Sequence, residues 1–132
     1  MGLSLEDRSE ITELLSQYGL LLDRHRIDEW MQLFVQDATL KMEGNPPWAT
    51  AVAREELGRT APKGTHLAAP PVIREGKMPN SAVAEQTFLF RAAVSGRMLA
   101  GWYEDVLVNV EGAWQFQLRS IYFHGERQDS SL

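Results

Sequence analysis

The feature that most constrains this fold is a change, about half-way along the chain, in the spacing of apolar residues. From Leu5 to Asp23 apolar side chains recur at helical spacing, which places one apolar stripe on a polar helix. After His66 the chain is rich in β-branched and aromatic residues, in segments separated by turns. Helical segments that precede strands predict an α+β domain, in which a curved antiparallel sheet wraps around the long helix.

Shorter elements are predicted on both sides of this change. A second helix at 27–34, with Asp28 as its N-cap, is expected to pack antiparallel to the first. A short strand at 38–42 leads into a loop at 43–47, whose glycine and prolines suit neither helix nor ladder. A third helix is predicted at 49–57, with Gly58 just past its end. The sheet strands are predicted at 72–73, 81–95, 97–110 and 113–123, the last three as an antiparallel meander.

Size, charge and cysteine content restrict the class of protein. The 132 residues, 44% of them apolar, suit one domain over residues 1–132, with 126–132 as a flexible tail. The net charge of -5 would repel a phosphate backbone, so we expect no nucleic-acid partner. The absence of cysteine excludes thiol nucleophiles. No apolar run has the length of a signal peptide or membrane span, so we expect a cytoplasmic location and no membrane partner.

Short motifs from about Ile11 to about Arg119 resemble one known family. The opening motifs are Ile11-x-x-Leu14-Leu15-x-x-Tyr18, Leu22-Asp23, Asp28-x-Trp30, Leu33-Phe34 and Asp37-Ala38. The later motifs are Thr65-His66-Leu67, Gly101-x-Tyr103-x-Asp105, Gly112-x-Trp114 and Arg119. In this order they resemble SnoaL-like members of the NTF2-like superfamily. The resemblance implies a cone-shaped fold, with three N-terminal helices packed in a curved antiparallel sheet, and a homodimer.

The same resemblance implies a catalytic pair. In scytalone dehydratase, bile-acid 7α-dehydratase and hexachlorocyclohexane dehydrochlorinase, an aspartate ending the first helix pairs with a histidine on a strand. Asp23 and His66 match these positions, and Tyr18 matches a tyrosine that polarises a substrate oxygen in the bile-acid dehydratase type. Such an imidazole moves a proton while the carboxylate holds its tautomer. Helix periodicity alone would instead make Asp23 a solvated helix end and Tyr18 a core residue.

Other chemistries of the superfamily find weaker matches. Scytalone dehydratase has a second pocket histidine in the strand region where this chain has Met98 and Leu99. Ketosteroid isomerase would need a shifted Glu43 as its base. The arginine and aspartate of limonene-type epoxide hydrolases match only Arg26-x-Asp28, between helices. Asp105 would match the strand base of some polyketide cyclases, or else lie on a solvated face.

The remaining histidines are predicted to lie outside the reaction, and one arginine has two possible roles. His25, in the interhelical turn, and His124, after the last strand, are expected to be exposed. Because no HxH or HExxH pattern is present, no metal site is expected. Arg119 either binds an anionic substrate group or is an exposed or dimer-interface arginine.

The interior is predicted to hold an apolar pocket, because the chain has more large side chains than its core should need. The candidates to line it are Leu22, Trp30, Met42, Trp48, Phe88, Phe90, Trp102 and Tyr122. The residues predicted to bind substrate are Met42, Trp48, Met98, Tyr103, Arg119 and Tyr122. Such a pocket suits a small hydrophobic substrate of polyketide, terpenoid or steroid type.

Two functions remain open on this basis. The first is a cofactor-independent acid–base enzyme, a lyase of dehydratase type before an isomerase or cyclase, that uses Asp23, His66 and Tyr18. The second is a non-catalytic, dimeric protein that binds a small ligand. The missing second histidine favours the second function.

Overall fold

The computed structural model describes the backbone of residues 2–45 and 48–126, and the side chains of residues 2–43 and 53–124. The predicted tail beyond Glu126, part of the predicted loop and the Trp48 side chain therefore lie outside the described residues. Helix α1 spans Leu5–Asp23, as predicted. The Ser4 hydroxyl accepts a hydrogen bond from the Asp7 N–H, and the Asp7 carboxylate accepts one from the Ser4 N–H. This capping box fixes where α1 begins.

Helix α2 is shorter than predicted and spans Ile27–Met31. His25, with a positive φ of 56°, reverses the chain after α1, and α2 packs against α1. The prediction that Asp28 is the N-cap is wrong, because Arg26 holds that position without a side-chain hydrogen bond. Asp28 lies in the first turn, where the helix dipole still favours a carboxylate.

The region between α2 and His66 departs most from the prediction. Strand β1, Phe34–Asn45, is much longer than the segment predicted, and strand β2, Trp48–Ala53, replaces the first half of the predicted third helix. β2 pairs antiparallel with β1, and this pairing overrides the helix propensity of its alanines. Helix α3 therefore begins only at Arg54 and runs to Thr60. Gly58, predicted to lie just past its end, lies inside it. A Cβ at this position would be 2.9 Å from Ile27 Cγ2, so a glycine allows the close approach of α2.

The remaining strands complete one curved, unclosed sheet. They are β3 (Gly64–Ala68), β4 (Val72–Glu75), β5 (Ser81–Ala92), β6 (Met98–Val110) and β7 (Ala113–Glu126). The strand order is β2-β1-β7-β6-β5-β3, and β4 also pairs with β5. The predicted meander of β5, β6 and β7 is confirmed, with each neighbouring pair antiparallel. The sheet is not antiparallel throughout, however, because β1 pairs parallel with β7.

The α+β class is confirmed, whereas the detail of three N-terminal helices is not, because only α1 is long. The described chain has three helices, of which only α1 and α2 precede the first strand. α1 packs its apolar stripe against the inner face of the sheet, and the core around it includes Trp30, Phe34 and Phe116. Among the described residues, no helix is both long enough and apolar enough to cross a membrane.

Candidate active site

An apolar cavity lies on the inner face of the sheet, between the sheet and helices α1 and α3. Its volume is about 120 Å³, or about 580 Å³ when the open space at its mouth is counted. Three described lining residues carry hydrogen-bonding oxygen or nitrogen in their side chains: Tyr18, His66 and Tyr103. The other lining residues are Leu22, Met42, Leu57, Ala61, Pro62, Phe88, Phe90, Leu99, Ile121 and Phe123. The cavity thus presents few polar groups in a largely apolar wall.

Asp23 and His66 meet where α1 ends beside β3. His66 Nδ1 lies 2.6 Å from Asp23 Oδ1, and the His66 backbone N–H donates to Asp23 Oδ2 at 2.8 Å. Both carboxylate oxygens therefore hold one residue, by its ring and by its backbone. The His66 and Asp23 side chains are only 15% and 19% exposed, so water screens this pair weakly. The structure brings the predicted pair together, although its catalytic role stays a prediction.

The contact between α1 and β3 depends on the absence of a side chain at Gly19. A Cβ at this position would lie 2.7 Å from His66 Cβ, a distance that real Cβ atoms essentially never show. Gly19 therefore allows β3 to approach the helix closely enough for the Asp23 carboxylate to reach His66. The His66 ring also packs against Phe90, with ring centres 4.6 Å apart.

Tyr18 lies in the wall of the cavity and in the aromatic core at the same time. Its ring is edge-on to that of His66, with centres 6.0 Å apart, and is 5.6 Å from that of Tyr103. Burial raises the pKa of the Tyr18 hydroxyl to about 12, although the Arg119 cation opposes this shift. The hydroxyl is therefore protonated at neutral pH and can donate a hydrogen bond.

Arg119 and Asp105 form an ion pair beneath the cavity, and both predictions for them need correction. Arg119 Nε and Nη2 donate to the two Asp105 oxygens at 2.7 and 2.9 Å, and both side chains are fully buried. Arg119 is thus neither exposed nor in the cavity lining, and Asp105 is not on a solvated face. Burial raises the pKa of Asp105 against the opposing effect of Arg119. Burial lowers the pKa of Arg119, but the Asp105 carboxylate more than offsets this and raises it.

The other predicted substrate-binding residues are divided between the two faces of the sheet. Met42 and Tyr103 line the cavity as predicted. Met98 is 56% exposed and the adjacent Leu99 lines the cavity instead, because neighbouring strand residues point to opposite faces. Tyr122 does not line the cavity either, because it lies between Ile121 and Phe123, whose side chains point to the other face of the sheet. Its ring stacks on that of Trp102, with ring centres 4.9 Å apart.

Among the wider set of predicted pocket residues, Leu22, Phe88 and Phe90 line the cavity. Trp30 and Trp102 do not: Trp30 is completely buried in the core, and Trp102 belongs to the stack with Tyr122. The alternative catalytic residues also lie elsewhere. Arg26 forms an exposed ion pair with Glu29. Glu43 pairs in register with Tyr122 and raises the pKa of the Tyr122 hydroxyl.

The histidines predicted to be exposed, His25 and His124, are exposed. Within the described residues, no group of three histidine, aspartate or glutamate side chains could hold a metal ion.

Comparison with known proteins supports the resemblance suggested by the motifs. The family model for the SnoaL-like domain matches residues 3–120, which is most of the chain. The chain belongs to the SnoaL-like domain family. No significant match was found among curated protein sequences.

The solved structures similar to this SnoaL-like domain include proteins with a cystatin-like fold, one of them an NTF2-like protein. A protein of unknown function from Nostoc punctiforme is 19% identical, with a TM-score of 0.76 over 97% of this chain and 98% of that one. A candidate scytalone dehydratase from Novosphingobium aromaticivorans is 20% identical, with a TM-score of 0.72 over 97% and 91%. The β subunit of a candidate aromatic-ring-hydroxylating dioxygenase from the same organism is 22% identical, with a TM-score of 0.74 over 91% and 90%. At these identities the similarity shows the fold alone.

Several lining residues of this SnoaL-like domain were not predicted from the sequence. They are Leu57, Ala61, Pro62, Leu99, Ile121 and Phe123. The alternation along β7 could have identified Ile121 and Phe123, since both share the inward face with Arg119. Ala61 and Pro62 lie in the connection after α3, where no periodic pattern indicates which way a side chain points.

Proposed function

We propose that this SnoaL-like domain is a cofactor-independent acid–base enzyme that eliminates water from a small, hydrophobic hydroxy ketone. The observation that carries the proposal is the 2.6 Å contact between Asp23 Oδ1 and His66 Nδ1, at an imidazole that lines an open apolar cavity. Isomerisation and cyclisation use the same first proton transfer and are the next candidates.

The Asp23 contact determines which nitrogen of His66 acts as the base. An ionised carboxylate can only accept hydrogen bonds, so we assign the proton of the neutral ring to Nδ1. The lone pair of Nε2, at the far side of the ring, is then available to a substrate. The carboxylate also stabilises the imidazolium that forms when Nε2 takes up a proton.

The proposed reaction needs one further group, which Tyr18 supplies. Nε2 of His66 takes a proton from the carbon beside the substrate carbonyl, while the Tyr18 hydroxyl donates a hydrogen bond to the carbonyl oxygen. The enolate that forms expels hydroxide from the next carbon, and the hydroxide leaves as water with the proton returned by His66. The ring that accepted the proton thus ends neutral, and the net change is the loss of one water.

The cavity wall supports an apolar, ring-shaped substrate. Phenylalanine and aliphatic side chains make most of the described lining, whereas charged side chains are absent from that described part. A sugar or nucleotide would leave many polar groups without partners in such a wall, at a cost in binding free energy. A polyketide-, terpenoid- or steroid-like ring with few oxygens would not.

The test is a panel of cyclic β-hydroxy ketones, assayed with the parent protein and with His66→Ala and Asp23→Asn. We expect His66→Ala to lower the rate by about 10²–10⁴-fold, the usual contribution of a general base. Asp23→Asn should lower the rate about 10²-fold, because the His66 ring loses the carboxylate that holds its proton on Nδ1. His25→Asn, which changes an exposed histidine outside the cavity to a residue that also tolerates a positive φ, is the matched control. Equal turnover in all four proteins would remove the proposed roles.

A ligand-binding protein without catalysis is the second candidate. It is favoured by the described cavity lining, where His66 is the only side chain whose ordinary pKa lies near neutrality. A single histidine must then serve as both base and acid. Equilibrium binding of the ketone panel, with no product formed by the parent protein, would support this candidate over the enzyme.

We also propose that the protein is a homodimer that uses the face of the sheet opposite the cavity. The stacked, partly exposed rings of Trp102 and Tyr122 lie on this face, where an apolar partner surface would bury them. Trp102→Lys should convert the dimer to a monomer in light scattering. A monomeric parent protein would contradict the proposal.

A further inference from the structure

The closed part of the cavity is small. Its volume is about 120 Å³, whereas pockets for drug-sized ligands usually enclose roughly 300–1,000 Å³. An engineered cavity of about 150 Å³ in another protein, lined by leucine, isoleucine and phenylalanine, binds benzene. The closed space of this cavity therefore suits one six-membered ring, and any further ring of a ligand must extend into the open mouth.

A layer of three stacked side chains forms one wall of this closed space. The ring of Phe88, which lines the cavity, stacks on that of Tyr103, with ring centres 4.4 Å apart and planes at 10°. The Cζ of Arg119 is 3.6 Å from the centre of the same Tyr103 ring. Two groups this close cannot share one face of a ring, so Phe88 and Arg119 cover opposite faces of Tyr103. Because both Asp105 oxygens hold Arg119, the layer is fixed from behind.

The neighbours of Phe88 also prevent it from moving aside. Its side chain is only 3% exposed, and the Phe123 ring meets it edge-on, with ring centres 6.0 Å apart. In a close-packed interior a ring held in this way has no free space to enter. Other lining side chains are half-buried, so they can change rotamer toward solvent and widen the mouth only. They include Leu22, Met42 and Leu99.

We propose that the cavity selects ligands that bury a single six-membered ring, and that Phe88 is the residue that sets this limit. The inference deepens the proposed function and rests on it for the reacting group, since it narrows the substrate from cyclic hydroxy ketones in general to monocyclic ones. A fused steroid or polyketide would leave most of its rings in the mouth. Apolar surface that stays in water contributes nothing to the free energy of binding.

The test measures equilibrium binding of saturated ring ketones by dialysis. The probes are cyclohexanone, the two-ring ketone decalone and a four-ring steroid ketone. With the parent protein, the affinity should be highest for cyclohexanone, and the steroid should bind at least about tenfold more weakly. A steroid affinity equal to or above that of cyclohexanone would overturn the proposal. So would the absence of any binding of cyclohexanone.

A substitution at Phe88 should change this preference. Phe88→Ala removes one six-membered ring from the wall, and the fixed Tyr103 cannot fill the space, so the affinity for decalone should rise about tenfold over the parent. Leu89→Ala is the matched control, because it shortens the next residue of the same strand, on the outer face. Phe88→Leu, a smaller change, should give a smaller gain if Phe88→Ala fails to fold. An unchanged preference in the folded Phe88 variant would contradict the assigned role.

The binding measurement separates this inference from the proposed reaction. Equal turnover in His66→Ala, Asp23→Asn and the parent would remove the catalytic roles, yet the preference for one ring would still be measured by dialysis. Conversely, tight binding of the steroid by a parent protein that eliminates water from hydroxy ketones would overturn the size limit and leave the reaction standing.

Discussion

Replacing Gly19 by alanine should separate α1 from β3 and break the contact between Asp23 and His66. The added Cβ would lie 2.7 Å from His66 Cβ and 3.3 Å from Cγ. These atoms are at the root of the side chain, so a rotamer change cannot move them away. Ordinary contact begins near 3.4 Å, so β3 must retreat by about 0.7 Å. A shift of that size would stretch the Nδ1–Oδ1 contact from 2.6 Å to beyond a good hydrogen-bond length.

The expected effect on function is larger than the effect on stability. Overpacking costs about 1–3 kcal/mol, but alanine stabilises a helix relative to glycine by about 1 kcal/mol, so the free energy of unfolding should fall by about 2 kcal/mol or less. A misplacement of this size in an active site can cost about 10²-fold in rate. Gly19→Ala should therefore give a folded protein with a damaged site.

The assay combines proton NMR of the His66 ring with urea unfolding. In the parent protein, the Nδ1 proton should resonate far downfield because its hydrogen bond is short and charged. In Gly19→Ala this resonance should move upfield or disappear through exchange with water. Gln17→Ala, an exposed change in the same helix, is the control and should leave it unchanged. An unchanged resonance and unchanged turnover in Gly19→Ala would refute the reasoning.

Three further predictions concern stability. Burial raises the pKa of Tyr18 from 10.0 to about 12, so its contribution is full below about pH 10 and is lost as the pH rises to 12. The loss should total about 3 kcal/mol and be smaller in Tyr18→Phe, as measured by urea unfolding across this range. Asp105→Asn leaves the Arg119 cation buried without its carboxylate and should cost about 3–5 kcal/mol in urea unfolding; a loss below about 1 kcal/mol would contradict this. Gly58→Ala should lower the melting temperature because its Cβ would press on Ile27, and a more stable variant would show that α2 can yield.

Local pattern was sufficient to predict the elements whose faces differ most in polarity. The range of α1 and the meander of β5, β6 and β7 both follow from apolar periodicity and turn residues. The same rules failed at β2, whose alanine-rich sequence has helix propensity. β2 pairs with β1, the strand directly before it, and the parallel pairing of β1 with β7 joins distant parts of the chain, so no local pattern encodes it.

For the site, residue types were easier to predict than the faces on which they lie. Met42 and Tyr103 were placed correctly, whereas Met98 and Tyr122 each lie next to a residue that lines the cavity. A one-residue error along a strand moves a side chain to the other face of the sheet. The burial of Arg119 was missed for another reason. An arginine is rarely buried unless it is paired, and its partner Asp105 lies on the neighbouring strand, where the local sequence around Arg119 does not reveal it.

Asp23 shows why the helical wheel gave the weaker prediction for the site. The wheel assumes that burial is decided by packing against the flank of a helix, which would leave Asp23 solvated. At the last residue of α1, however, the neighbour is the crossing strand β3, whose Gly64 allows close packing against Phe90 and Arg91. The His66 backbone N–H and ring then supply two donors to one carboxylate. The polar contacts of β3, and not the stripe on α1, determine the direction of the Asp23 side chain, which is why substitutions on β3 should disturb it as strongly as substitutions on its own helix.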